Sequence, residues 1–175
     1  EWPAEAAVPG VWAKLLAAAA AGLDAAHRAG LPHGRLTADS FVLTPDGTVK
    51  LTGVGEPPWL TTGPAADPTP EADLRALGAV AFGWAQLGGA AKKRGRGKGF
   101  PESLLAVVRR LEADPDTPMG DTAGGAVPYR SAGELADDLA RLSAAFPCPP
   151  DAWDHLVRHA AENATDSGGD VRRSA

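Results

Sequence analysis

The spacing of apolar residues predicts a mainly α-helical chain with one small β-hairpin. Apolar positions recur every three or four residues in five segments, which is the period of a helix with a buried face. Two short apolar runs have the length of strands instead, and Pro45-Asp46-Gly47 between them favours a tight turn, because glycine tolerates positive φ. The strands are predicted at 41–43 and 49–51, and the helices at about 9–29, 70–87, 101–112, 131–146 and 150–163.

Start and stop signals bound two of these helices. Thr69 is a good N-cap for the second helix, and Asp73 lies in its acidic first turn. The second helix is predicted to end at Gly88-Gly89, and its broad apolar face indicates a central, mostly buried helix. Ser131 is the predicted N-cap of the fourth helix, and Glu134 three residues later completes a capping box.

Composition places the chain among ordinary single-domain globular proteins. Its 175 residues are enough for one buried core, and a net charge of -5 gives no general attraction to nucleic acid. Cys148 is the only cysteine, so an internal disulfide is excluded, which fits a reducing compartment and a cytoplasmic location. Frequent Ala, Gly, Pro and Arg suggest a bacterial gene rich in GC. We expect loops at 56–70, 92–99 and 114–129, and a disordered tail at 164–175.

Four motifs carry a family resemblance. AAHRAGLPHGRLTADSFVL resembles the pattern LHxxGIxHRDLKPxNIL, in which His27, Gly30, Leu31, His33 and Leu36 keep their places. GTVKLTGVG resembles GxVKLxDFG, and ADLRALGAVAFGW is similar to SDVYSLGVVLYE. LLAVVRRLEADPDTP with YRSAGELADDL is similar to IIxxCLxxDPxxRPSAxELxxxL. These patterns belong to the eukaryotic-type Ser/Thr protein kinases, so the chain resembles the C-terminal lobe of that family.

The resemblance implies a domain organisation. The motifs keep similar spacing over most of the chain, and the order of elements implies a helical bundle around a central helix. We expect residues 1–163 to form a kinase-like C-terminal lobe, with an extra helix near 150–163. The chain begins at Glu1, before the catalytic loop, so we expect it to be a piece that lacks the N-terminal lobe.

The resemblance also implies that the family's chemistry is lost. Arg35, Ser40 and Gly53 stand where the family has its catalytic Asp, its metal-binding Asn and the DFG Asp. Arginine has no acceptor for a substrate proton, glycine has no carboxylate for magnesium, and a lone serine is a weak ligand. His33 and Asp73 match the residues that tie the catalytic loop to the central helix. We therefore expect no cofactor, no metal and no catalytic residue.

Two functions follow from the resemblance. The first is a non-catalytic pseudokinase lobe that acts as a protein-interaction scaffold or regulator, with a protein partner and with self-association as an option. The alternative is a fragment of a divergent Ser/Thr protein kinase whose N-terminal lobe is missing from this chain.

Three other groups of residues have candidate chemistry and a simpler interpretation. A basic loop could bind anions, although a solvated connection between helices is favoured over binding to nucleic acid or lipid. A His pair four residues apart, with a nearby Glu, could hold a metal, but an exposed polar face is favoured. Three threonines lie where the family is often phosphorylated, but unmodified loop threonines are favoured. These groups are Lys92, Lys93, Arg94, Arg96 and Lys98; His155, His159 and Glu162; and Thr61, Thr62 and Thr69.

Overall fold

The secondary structure of the computed structural model follows the predicted order of elements. The structure describes residues 8–55, 68–93, 101–113 and 126–167, and within them the chain is mainly helical with one two-stranded sheet. The helices are α1 (Pro9–Arg28), α2 (Pro70–Lys93), α3 (Glu102–Glu112), α4 (Ala132–Ala145) and α5 (Pro150–Ser167), and the strands are β1 (Phe41–Leu43) and β2 (Val49–Leu51).

Helix α1 is buried along most of its length. Trp12, Leu16 and Leu23 have no exposed surface, and the helix packs along α4 and against β2. Helix α2, which the sequence predicted to be central, packs along α3, with Leu77 fully buried and Phe82 46% exposed.

A second, smaller apolar cluster attaches α5 to the hairpin and to the beginning of α1. Trp153 and Leu156 of α5 pack there with Val11 and Leu15 of α1. The ammonium nitrogen of Lys14 lies 3.7 Å from the centroid of the Trp153 ring, which adds a cation–π contact between the two helices. The predicted extra helix is thus held by its own cluster beside the main core.

The hairpin is antiparallel and has the predicted turn. Phe41 pairs with Leu51 and Leu43 with Val49. Gly47 has φ of 79°, and its N–H donates to the carbonyl of Thr44. In the same turn the hydroxyls of Thr44 and Thr48 donate to the carboxylate of Asp46, and these bonds lower the pKa of Asp46. The turn is therefore fixed by local side chains.

The structure corrects two predicted helix ends. Helix α2 passes through Gly88-Gly89 and ends at Lys93, so Lys92 and Lys93 are helical and do not belong to a loop. A helical glycine costs only about 1 kcal/mol relative to alanine, which is not enough to stop a long helix. Helix α5 ends at Ser167, so the disordered tail predicted for 164–175 is wrong for 164–167. The first glycine after the predicted end is Gly168, and 168–175 lie outside the described residues.

The predicted N-caps are confirmed, with one change. Thr69 Oγ1 accepts a hydrogen bond from Ala72 N at 3.1 Å, and Ser131 Oγ accepts from Glu134 N at 3.1 Å. The carboxylate of Glu134 accepts from Arg130 N instead of from Ser131 N, so the box is closed one residue earlier than predicted.

Arg110 joins α3 to α4 and to the segment before α4. Its guanidinium donates to the carbonyl of Val127 at 2.8 Å, to Asp138 at 2.9 Å and to Glu134 at 2.7 Å. It also lies 3.8 Å from the centroid of the Tyr129 ring, whose hydroxyl donates to Asp138. One planar side chain therefore holds three parts of the fold, a geometry that lysine does not offer.

The two carboxylates of this network titrate below their usual range. The pKa of Asp138 is lowered chiefly by the hydrogen bond from Tyr129, and that of Glu134 chiefly by the backbone N–H of Arg130. Burial and the bond to Asp138 raise the pKa of Tyr129. The carboxylates of Glu134 and Asp138 are therefore ionised at neutral pH.

Among the described residues, no helix combines the length and the apolar character that crossing a bilayer requires.

We expect Gly10→Ala to destabilise the protein by about 1 to 3 kcal/mol through overpacking. A Cβ on Gly10 would overlap the carbonyl oxygen of Pro147, which is backbone of the α4–α5 connection and cannot rotate away. The matched control is Gly83→Ala in α2, where a Cβ meets nothing within 4 Å and removal of a helical glycine should stabilise by up to about 1 kcal/mol. Urea unfolding measures both; equal effects of the two substitutions would contradict the close approach at Gly10.

We expect Arg110→Gln to lower the free energy of unfolding by about 2 kcal/mol at pH 7. The neighbouring Arg109→Gln removes an ion pair with Glu102 that is largely exposed, and should cost under about 0.5 kcal/mol. Because the pKa values of Glu134 and Asp138 are lowered in the folded state, their contribution is present above the ordinary carboxylate range and is lost as pH falls through the lowered values. The difference between Arg110→Gln and wild type should therefore shrink in acid; a constant difference down to about pH 2 would argue against this network.

Candidate functional site

The carboxylate of Asp73 fixes the loop between α1 and the hairpin. Asp73 lies in the first turn of α2 and is 1% exposed. Its Oδ2 accepts from the backbone N–H of His33 and its Oδ1 from that of Gly34, both at 2.7 Å. The two predicted anchors, His33 and Asp73, thus lie in contact, although the bond runs to the backbone of His33. Hydrogen bonds to a charged acceptor contribute about 1.5 to 3 kcal/mol each, so this pair is a strong attachment.

A third group, which the sequence did not single out as an anchor, also reaches Asp73. Nε2 of His27, in the last turn of α1, lies 2.8 Å from Asp73 Oδ2. An ionised carboxylate only accepts hydrogen bonds, so this nitrogen is the donor. Asp73 therefore connects the end of α1, the loop and the start of α2. The sequence signal for this role of His27 was that it keeps its place in the first motif.

The ring of His33 attaches the loop to Thr52, the residue that follows β2. Its Nε2 lies 2.7 Å from the carbonyl oxygen of Thr52, just after β2, and its Nδ1 lies 3.4 Å from the N–H of Arg35. The carbonyl can only accept and the amide can only donate, so the ring hydrogen is on Nε2. His33 is buried, and its backbone and side chain point to two different elements. It is thus a structural connector between α2 and β2.

Ser40 serves the local turn. It ends a short 3₁₀ turn at Ala38–Ser40 and is buried. Its Oγ accepts from Thr37 N at 3.1 Å, and its carbonyl accepts from both the N–H and the hydroxyl of Thr52. The hydroxyl oxygen therefore accepts a hydrogen bond within the turn, where it replaces a backbone acceptor.

Arg35 and Gly53 occupy two other positions at which the sequence resemblance predicts lost catalytic residues. Arg35 is exposed, and Gly53 has φ of 79° in the segment after β2. Positive φ is costly for most side chains, so the backbone at Gly53 favours glycine. Neither position carries a carboxylate.

Some of the remaining candidates lie within the described residues and others do not. Among the described residues, no group of three or more His, Cys, Asp or Glu side chains is placed to hold a metal ion, which includes the set of His155, His159 and Glu162. Thr69 is the N-cap of α2. Thr61, Thr62, Arg94, Arg96 and Lys98 lie outside the described residues.

We expect Asp73→Asn to destabilise the protein by about 2 to 4 kcal/mol. The amide offers one acceptor oxygen and turns two donors toward the N–H groups that the carboxylate accepts, which leaves a buried donor unpaired. Glu71→Gln is the matched control, because Glu71 is exposed in the same helical turn, and it should stay within about 0.5 kcal/mol of wild type.

Amide hydrogen exchange separates local from global effects of this substitution. Asp73→Asn should speed the exchange of the His33 and Gly34 amides more than that of amides in α4. Unchanged protection of those two amides would show that the carboxylate does not hold the loop.

No protein-family model matches this chain, and no curated protein matches it in sequence.

Proposed function

We propose that the chain is a non-catalytic, protein kinase-like C-terminal lobe that acts as a protein-interaction scaffold or regulator in the cytoplasm. The observation that carries the proposal concerns one loop. The hydrogen bonds that hold this loop are present, and the side chains that the family needs for catalysis are not. His33 and Asp73 hold the loop, while Arg35, Ser40 and Gly53 replace the three residues on which phosphoryl transfer depends in the family that the sequence resembles.

The side chain at position 35 supports the absence of catalysis. A general base must have a free acceptor within hydrogen-bond reach of the substrate hydroxyl. The guanidinium of Arg35 carries hydrogen-bond donors and no acceptor, so it does not remove a proton. Its positive charge would also repel a magnesium ion at the neighbouring metal position.

The metal positions support the same conclusion. Magnesium in phosphoryl-transfer sites is bound through carboxylates and amide oxygens together with phosphate oxygens. The Ser40 hydroxyl accepts from Thr37 N, and Gly53 supplies no side chain. These two positions therefore leave a magnesium–nucleotide complex without protein ligands.

The hydrogen bonds that hold this loop support a structural role. A loop that is held rigid on the surface suits recognition of another protein, because less conformational entropy is lost on binding. The identity of the partner is not specified by these residues.

The purified chain should show no magnesium-dependent phosphotransfer to itself or to a general Ser/Thr substrate, and magnesium–ATP should not raise its Tm above that with magnesium alone. A ligand present at ten times its Kd would stabilise the protein by about 1.4 kcal/mol, a shift of a few degrees for a domain of this size. An active Ser/Thr kinase in the same assay is the control. Phosphotransfer that disappears on Arg35→Ala or Ser40→Ala would instead support the alternative, a fragment of a divergent kinase.

The proposed role in protein interaction is tested with Asp73→Asn and Glu71→Gln, the two variants introduced above for the loop. Cross-linking in a bacterial lysate should give discrete partners with wild type and with Glu71→Gln, and should lose them with Asp73→Asn at a temperature where all three are folded. Partners captured equally well by Asp73→Asn would show that the held loop is not the interaction surface.

A further inference from the structure

A cavity lies where α1, the hairpin, α2 and α5 meet. Its volume is about 230 Å³, and it is partly open to solvent. Its lining comes from α1, the hairpin with the turn before it, α2 and α5, and consists of Leu15, Ala38, Phe41, Leu43, Val49, Trp84, Leu156 and Ala160. It is separate from the Asp73 attachment, and none of its lining residues belongs to the degenerate catalytic positions.

The lining restricts the chemistry of an occupant. Every lining residue is aliphatic or aromatic, and none carries an ionisable side chain. Transfer of a charged or strongly polar molecule into such a site would leave its polar groups without partners, at a cost of several kcal/mol. The edge-to-face pair of Phe41 and Trp84, with ring centroids 6.0 Å apart, adds aromatic surface to one wall. The cavity thus favours an uncharged, apolar occupant.

The surroundings of the cavity favour a small molecule over a protein segment. A docking groove for a helix or peptide needs an extended apolar rim around its central pocket. Among the described residues, the large hydrophobic side chains that are exposed are Leu31, Val42, Phe82 and Val127, and none of them lines the cavity. Among the residues whose side chains are described, the apolar surface near the cavity therefore lies inside it and not along a groove.

We propose that this cavity binds a small, uncharged, apolar molecule of the size of one or two fused aromatic rings. An enclosed apolar cavity of about 150 Å³ is known to hold benzene, so a volume half as large again accommodates a bicyclic compound. The occupant would contact all four elements at once. It would therefore strengthen the attachment of α5, which otherwise depends on the small cluster around Trp153. This binding function goes beyond the interaction role proposed above and does not depend on it.

Indole is a suitable probe, with the methyl groups of Leu15, Leu43 and Leu156 as NMR reporters. We expect saturable shifts of these methyl signals with a Kd on the order of 1 mM or tighter, as a ligand of nine heavy atoms allows. Indole should also raise the Tm of the full chain.

Matched substitutions on α5 make the test specific. Ala160→Leu places a larger side chain in the cavity and should weaken indole binding by at least about tenfold, whereas Ala161→Leu makes the same change at an exposed neighbouring position and should leave the Kd within about twofold. If Ala160→Leu does not fold, Ala38→Val adds volume to another lining position and should also weaken binding. Indole that causes no saturable shift in wild type, or that binds all variants equally, would mean that the cavity is an empty packing defect only.

Discussion

The buried carboxylate of Asp73 is the interaction on which the geometry of the loop depends. It is the point where α2, the end of α1 and the loop before the hairpin meet, through bonds of 2.7 to 2.8 Å to His27, His33 and Gly34. A buried charge is tolerated only when nearby donors compensate its lost hydration, so the three donors and the acceptor require one another. The loop has little regular secondary structure of its own, and this mutual requirement gives it a defined shape.

The hairpin connects the loop held by Asp73 to the apolar cluster that holds α5. The carbonyl of Thr52 accepts from the His33 ring, while Leu43 and Val49 of the same hairpin pack with the cluster that holds α5. A hairpin of two three-residue strands is marginal by itself in water. It is stabilised here because one end is bonded to the loop and the other is packed against α1 and α5. The loop and the cavity are therefore supported by one small element, and Ala38 of the loop also lines the cavity.

Local signals predicted the elements well because they act over a few residues. The 3.6-residue period of α1, the N-caps Thr69 and Ser131, and the Pro45-Asp46-Gly47 turn all correspond to the observed elements. The end of α2 was missed because Gly88-Gly89 weakens a helix without stopping it. The roles of His27 and Thr52 were missed for a different reason: their partners are 46 and 19 positions away in sequence, and no local pattern encodes such a pairing. The cavity likewise depends on four elements that sequence periodicity does not place relative to one another.

Substitutions at positions 35, 40 and 53 differ in how much of the loop they disturb. An acid at Arg35 changes one exposed side chain and leaves the attachment to Asp73 intact, since that attachment uses backbone N–H groups. At Gly53 a side chain must adopt φ near 79°, which is costly for most residues and less so for Asn and Asp. An amide at Ser40 would need space in a buried turn whose hydroxyl already accepts from Thr37 N. The loop therefore tolerates a change of side chain at position 35 more readily than at position 40.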